Sequence, residues 1–454
     1  MKNCDELYIS YLFPPSSEVS GITVFKRIVE NNNVVDVLQG DFKSDDSQLS
    51  KYVKEFTNDR FYIQIDEKFD WPVFIDKFIK KGLNAINKDY KKIYSRSWAM
   101  ANHFLASEYK FTRSNTFWTA EFSDPLIFDL NNKPKTYKNM IIKNQEYISK
   151  LNNKIKIFNE NTGNNFSYIE DNSSAYFIAE YLVYLFADKV IFTNENQRKI
   201  MLNQFPIDVK NLVLNKSEVR MHPTLPNKYY QITESNLKLD DNYINIAYFG
   251  KDYYSKRHFE SLFYAVGALN HKFKDRINVY LYLSEEKLLD RLLPSDNFII
   301  KKPLDYLEFL NVTTKYDVLI VNDINTNDNF ELNPYLPSKL SDYLGSGSDI
   351  WALYEDRSVL SEFNLKYKSN INDYDACLTQ LVKILDDYGF KDENYSINQN
   401  YLNNRLTFFN ELYENEYNSK RDLKRKVKKL KKENKEFKSS NIGKISKALR
   451  NLIK

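Results

Sequence analysis

Asn333-Pro334-Tyr335-Leu336-Pro337-Ser338-Lys339-Leu340-Ser341-Asp342-Tyr343-Leu344-Gly345-Ser346-Gly347 follows Tyr316-Asp317-Val318-Leu319-Ile320-Val321-Asn322, an apolar run of strand length rich in β-branched residues. Pro337 suits the first turn of a helix, where its missing N–H costs nothing, and Gly345 suits the residue just past the end. The spacing therefore predicts a strand, a loop and a helix from Pro337 to Leu344. The free N–H groups at such a helix start, with the positive end of the dipole, form a site for an anion such as a phosphate. Lys339 and Asp342 are three apart and share a face. A cation at a helix start opposes the dipole unless a polyanion sits there. Asp342 is placed to accept hydrogen bonds from a sugar or ribose hydroxyl. The plainer alternative is a surface helix carrying an i,i+3 ion pair.

Working outward, Tyr243–Phe249 reads as a strand ending on Gly250, followed by Lys256, Arg257 and an amphipathic helix over Phe259–Leu269. Gly250 lets a ligand approach the backbone, while Lys256 and Arg257 offer a point charge and a forked contact to a diphosphate. Val279–Leu283, Phe298–Ile300 and Ile350–Leu353 read as further strands. In the first half, Leu7–Phe13 is an apolar strand, and Gly21 lies in the loop before a helix beginning at Ile22. Strands are expected at Val34–Leu38, Phe61–Ile65, Ile93–Ser95 and Val190–Asn194, with helices such as Trp71–Ile86, Ala99–Ala106, Ala175–Ala187 and Glu195–Phe205 between them. Alternation of this kind predicts parallel α/β sheets, with ligands at the carboxyl ends of the strands.

Thr116–Ala120 is a strand running into Glu121-Phe122-Ser123-Asp124-Pro125. Carboxylates at a strand's carboxyl end serve as general base or hold acceptor hydroxyls, so Asp124 and Glu121 are the candidate catalytic residues. The competing use of Asp124 is to cap a turn. His103, alone on its helix, reads as a packed or capping side chain. Asp373-Tyr374-Asp375 precedes a helix (Ala376–Leu385) and reads as a cap rather than a metal site.

At 454 residues the chain exceeds one ordinary domain, and 42% hydrophobic and 15% aromatic residues supply material for two cores. Cys4 and Cys377 are its two cysteines, with no metal or redox spacing, which fits a reducing compartment. The first residues run straight into a strand and do not read as a signal peptide, and no run reaches the ~20 apolar residues of a membrane span. From Lys420 onward there are fifteen Lys/Arg and three Asp/Glu, so the overall charge of +4 hides a basic tail on an acidic body. Within the tail, Ile442, Ile445, Leu449, Leu452 and Ile453 form one helical face, and Lys444, Lys447, Arg450 and Lys454 the other. A basic amphipathic helix of this pattern lies on an anionic membrane surface. Nucleic acid is the competing partner for such charge, but the tail lacks interleaved aromatics. Arg421–Phe437 carries a thin apolar stripe compatible with a short coiled coil, and hence with a homo-oligomer.

The Pro337–Gly347 stretch resembles the "P-S-K-[LI]-x-[ED]-Y-[LM]-x-[SA]-G" segment of GT-B glycosyltransferases, specifically the family 4-like bacterial enzymes. Asp342 matches the second acidic residue of their Glu-x7-Glu motif, which binds the donor ribose; the first acidic position is Pro334 here. Glu331 and Asn333 are near that position but out of register. Gly250 with Lys256-Arg257 is similar to the family's "G-x(5–8)-[RK]-[KR]" element, and Gly21 matches its first-domain glycine loop. Trp118–Pro125 resembles its "W-x-[AD]-[DE]-F-x-D-P" segment, which lines the cleft.

The resemblance implies an α/β fold of two Rossmann-like doubly wound domains facing across a cleft: an acceptor-side domain over 1–226, with a polar helical insertion at about 131–172, and a nucleotide-sugar domain over 242–400. A crossover helix at 401–419 and the basic tail at 420–454 follow. Asn227–Asp241 is the expected linker. It also implies transfer of a sugar from a nucleotide-sugar donor to a carbohydrate or lipid-linked acceptor, without metal or cofactor. The donor would be held by Gly21, Gly250, Lys256, Arg257, Asn333, Ser338, Lys339 and Asp342. The implied setting is assembly of capsule, lipopolysaccharide or a similar polysaccharide at the inner face of the plasma membrane, with Ile442, Ile445, Lys447, Leu449 and Arg450 as the membrane contact. A nucleotide-sugar epimerase of the same fold and a non-catalytic partner in an assembly complex are the rival readings.

Overall fold

The computed structural model describes residues 4–42, 49–65, 71–135, 140–250, 257, 259–269, 275–283, 297–326 and 329–390. Two all-parallel sheets organise them. The first contains β1 (Glu6–Ile9), β2 (Val35–Gly40), β3 (Thr57–Ile63), β4 (Lys92–Arg96), β5 (Phe117–Phe122), β6 (Lys189–Phe192) and β7 (Ser217–Val219), in the order β3-β2-β1-β4-β5-β6-β7. The second contains β8 (Ile244–Gly250), β9 (Ile277–Leu283), β10 (Phe298–Lys301), β11 (Val318–Asn322), β12 (Asp349–Tyr354) and β13 (Tyr367–Asn370), in the order β10-β9-β8-β11-β12-β13. Each sheet reverses its winding once, between β1 and β4 and between β8 and β11. The loops leaving those strands diverge there, and the crevice between them is where doubly wound sheets bind ligands.

The central strands form where the sequence supplies apolar runs, because helices cover both faces. β11 is buried along its whole length, as is β2. One apolar core joins the two sheets: Val24, Phe25 and Ile28, from the Val19–Asn31 helix, meet Leu340 and Tyr343 through Tyr229 and Tyr230 of the linker. Packing that is continuous across the join fixes which strand ends face each other.

Two differences from the sequence reading, in the Pro337 helix and at Gly21, have physical causes. The helix read as Pro337–Leu344 is only Lys339–Tyr343, and Ser338 provides no side-chain cap. A helix of five residues carries little dipole, so charge at this point comes from side chains. Gly21 lies inside the Val19–Asn31 helix, not in the loop before it. A Cβ there would stand 1.7 Å from the Leu12 carbonyl oxygen, so this glycine serves the close approach of the helix to the strand-end backbone. The polar 131–172 segment contains a helix, Gln145–Thr162, whose Ile148, Leu151 and Ile155 enter the first core. Its composition is polar because only that one stripe is buried.

Candidate functional site

Two cavities lie where the switch-point loops of the two sheets meet. The first, of about 410 Å³, has an aromatic wall on the second domain: Phe249 and Tyr282 stack at 4.3 Å, and Phe309 stands edge-on to Phe249 at 5.0 Å. Gly250, at the end of β8, forms its floor, and Ile22, Thr23 and Lys26 close it from the first domain. The second, of about 430 Å³, is the polar cavity, so called for its charged groups: Asp124, Asp129, Arg96, Lys135 and Arg257 stand among apolar side chains that include Trp98, Phe128, Ile324 and Tyr335. Ser338 and Lys339 line both. The Ser338–Lys339 wall is thus the point at which the two chambers adjoin.

Asp342 projects from the short helix into the aromatic cavity, where it is already partnered. Its Oδ1 accepts from Lys26 Nζ at 2.8 Å and from the Tyr306 hydroxyl at 2.8 Å, and Lys26 also donates to Ser341 Oγ at 2.7 Å. Lys26 is 3% exposed and Asp342 7%. Burial pulls the Lys26 ammonium below its ordinary range, and the Asp342 charge pulls it back. This ion pair spans the two domains, and nothing in Phe25-Lys26-Arg27 announces it except two cations within an apolar helical run.

Arg257 reaches from the β8 loop to the end of β11, donating to the Asn322 carbonyl and, at 3.1 Å, to Asn322 Oδ1. Lys256 lies outside the described residues, as do Ile442, Ile445, Lys447, Leu449 and Arg450 with the rest of the tail and the 401–419 segment. Asn333, expected at the donor, instead turns away from both cavities. Its side-chain amide donates to the Ile324 carbonyl at 2.9 Å and to Glu355 Oε2 at 2.7 Å, and its own oxygen accepts from the Tyr335 N–H. The pyrrolidine at 334 leaves a carbonyl that Asn194 of the first domain engages at 3.0 Å.

The two candidate carboxylates separate clearly. Glu121 is wholly buried under the polar cavity and accepts from four donors: Arg27 Nε at 3.0 Å, Arg27 Nη2 at 3.2 Å, Arg96 Nε at 3.2 Å and the Tyr94 hydroxyl at 2.8 Å. Burial pushes its carboxyl up, but the Arg27 and Arg96 charges and the hydrogen bonds of Arg27 and Tyr94 outweigh that and leave it at about 2. A group so committed is an anchor for two arginines rather than a base. Arg96 continues the network, donating to Ser20 Oγ at 2.8 Å and to His222 Nε2 at 3.1 Å. A guanidinium can only donate, so the His222 ring proton resides on Nδ1; burial holds that ring well below its ordinary pKa, and hence neutral.

Asp124 sits two residues past β5 with its side chain open to the polar cavity. The side chain is exposed, and the protein around it raises its carboxyl above the ordinary value while Arg96, Lys135 and a hydrogen bond with Ser123 pull it back. The loop that carries it is pinned from behind: Glu180 Oε1 accepts from the Leu126 and Ile127 N–H groups at 2.8 and 3.2 Å. His103 is packed as expected, fully buried against Ser95 Oγ at 2.8 Å, and Asp373 caps its helix through the Ala376 N–H. Sequence reading passed over Lys26, Arg27, Arg96, His222 and Tyr306.

No family model matches the chain, and no curated protein matches it. Among solved structures it is similar to sucrose-phosphate synthase from Thermosynechococcus elongatus, with 13% identity over 86% of this chain and 91% of that chain and a TM-score of 0.54. It is also similar to the apo structure of OtsA, with 13% identity over 84% of this chain and 91% of that chain and a TM-score of 0.52. Likeness at these identities is likeness of fold. The chain is an α/β protein of two parallel Rossmann-like sheets with the GT-B fold.

Proposed function

We propose that the protein transfers a glycosyl group from a nucleotide sugar to a carbohydrate acceptor. The observation that carries this reading is the pair of adjoining cavities. One is aromatic, sized for a nucleoside and floored by a glycine; the other holds charged groups, a carboxylate among them; Ser338 and Lys339 stand between them. A nucleotide sugar laid across that wall has its base against Phe249 and Tyr282, its diphosphate at Ser338, Lys339 and Arg257, and its sugar beside Asp124. In the reaction the bond from the anomeric carbon to the diphosphate breaks, and a bond from that carbon to an acceptor hydroxyl oxygen forms. The acceptor proton passes to Asp124, which opens to the same cavity. The diphosphate leaves with added negative charge, which Lys339 and Arg257 stabilise. Lys256, in the same expected run, would add to this charge.

A second reading, a binding protein of this fold without catalysis, is favoured by one observation: one oxygen of the Asp342 carboxylate, Oδ1, is already engaged by Lys26 and Tyr306. Calorimetric titration with UDP, GDP, ADP and dTDP tests the donor site directly. Saturable binding of one of them, weakened in Lys339→Ala, is expected; no heat with any of the four overturns the donor assignment.

A further inference from the structure

The chain has four tryptophans, and Trp98 is the one left largely in solvent. Trp118 and Trp351 are fully buried, whereas Trp98 is 53% exposed. It does not stand on a convex surface but lines the polar cavity with Asp124. It also leaves β4, one of the two strands at the switch point of the first sheet, where loop residues meet ligands.

Its turn is held from both sides. Ser97, just before it, donates its N–H to the Glu121 carbonyl at 3.0 Å, and its hydroxyl accepts the Ser123 N–H at 2.9 Å. Ala99 and Met100, just after it, are buried. Asn102 ties the turn down further, donating to the Arg96 carbonyl at 2.8 Å and accepting the Tyr11 N–H at 3.1 Å. The loops carrying Trp98 and Asp124 are therefore bonded directly to each other, one residue away from each side chain. A rigidly mounted indole, facing the polar cavity, leaves apolar area in water for which the fold offers no cover.

We infer that Trp98 is the platform for the acceptor, and that the acceptor group bound there is a pyranose. The apolar C–H face of a sugar ring covers an indole, while its ring-edge hydroxyls need acceptors close by. Asp124 and Asp129 supply carboxylate oxygens in the same cavity. An acyl chain would cover the indole but leave both carboxylates without a donor. This inference rests on the glycosyl-transfer reading for the word acceptor, but the saccharide site itself does not depend on transfer.

The test uses full-length protein labelled with 5-fluorotryptophan, which gives four fluorine resonances; Trp98→Phe identifies the one belonging to Trp98. Wild-type protein is titrated with the methyl glycosides of glucose, galactose, N-acetylglucosamine and glucuronic acid, with and without UDP. The expected result is a saturable shift of the Trp98 resonance with at least one glycoside, while the two buried tryptophans stay fixed. Trp98→Ala should weaken that glycoside by about tenfold or more, as loss of an aromatic face does, with Trp98→Phe intermediate and UDP affinity unchanged. A Trp98 resonance unmoved by all four glycosides, in protein that binds UDP, overturns the inference and leaves the donor reading standing. A glycoside shift in protein that binds no nucleoside diphosphate supports the saccharide site and overturns transfer instead.

Discussion

Replacing Lys26 by Met removes the cation of the interdomain ion pair while nearly keeping the volume of its aliphatic stem. In the native protein Lys26 Nζ stands 2.8 Å from Asp342 Oδ1, with both side chains at most 10% exposed. The substitution leaves the largely buried carboxylate with Tyr306 as its remaining named partner at the wall of the aromatic cavity. Removing one partner of a buried pair costs roughly 3–5 kcal/mol, whereas replacing both by apolar groups is often neutral. The Tyr306 hydroxyl still donates to Asp342, so about 3 kcal/mol is the expected loss for Lys26→Met. Asp342→Leu alone should cost a similar amount by stranding the ammonium, although Ser341 still accepts from it. The double variant should recover much of both losses, giving a coupling energy of at least ~1.5 kcal/mol in a double-mutant cycle. Urea unfolding followed by tryptophan fluorescence reads all four proteins. Losses below ~1 kcal/mol that simply add would show that water reaches this pair, as it does in exposed pairs, and would remove the ion pair from the account of how the domains are held.

Asp124→Asn should lower transfer by ~100- to 10,000-fold, the usual range for a general base, with donor affinity unchanged; steady-state kinetics at saturating donor reads it, and near-native turnover would leave Asp124 a turn residue. Acid should unfold the protein through Glu121, whose native carboxyl at about 2 lies below its ordinary 4.5. Its contribution is present above pH 4.5, falls as pH drops toward 2, and totals about 3 kcal/mol. Glu121→Gln should flatten that limb of the stability–pH curve, and an unchanged limb would assign acid lability elsewhere. Removing Ile442–Lys454 should release the protein from anionic vesicles, where each basic residue near the surface adds ~1 kcal/mol. Equal sedimentation of full-length and truncated protein would exclude that segment as an anchor.

Much of the fold was legible because buried parallel strands announce themselves. The Tyr243–Phe249 reading falls within a residue of β8, and the Tyr316–Asn322 run contains the whole of β11. The strands that escaped are β7 and β13, Ser-Glu-Val and Tyr-Lys-Ser-Asn, which form the outer edges of their sheets. An edge strand has one neighbour and open flanks, so it needs no apolar run. The site was legible in types and less so in partners. A carboxylate at or just past the end of β5 reads the same whether it opens to a cavity, as at Asp124, or meets two arginines brought from the first helix and β4, as at Glu121. Gly21 showed a similar ambiguity, since a glycine is needed both where a ligand approaches backbone and where a helix does. Lys26 could not be paired with Asp342 from sequence, because 316 residues separate them and only the join of the two domains brings them together.

Glycosyl transfer leaves a chemical trace even without an acceptor, since water can take the sugar slowly. Purified protein incubated with UDP-glucose, UDP-N-acetylglucosamine, GDP-mannose and dTDP-rhamnose, with release of nucleoside diphosphate followed by chromatography, therefore tests the central claim. The expected result is enzyme-dependent release from one of these donors, reduced in Lys339→Ala and in Asp124→Asn. Binding of a nucleoside diphosphate, but no release above the protein-free rate from any donor, would contradict it and leave a protein of this fold that binds without transferring.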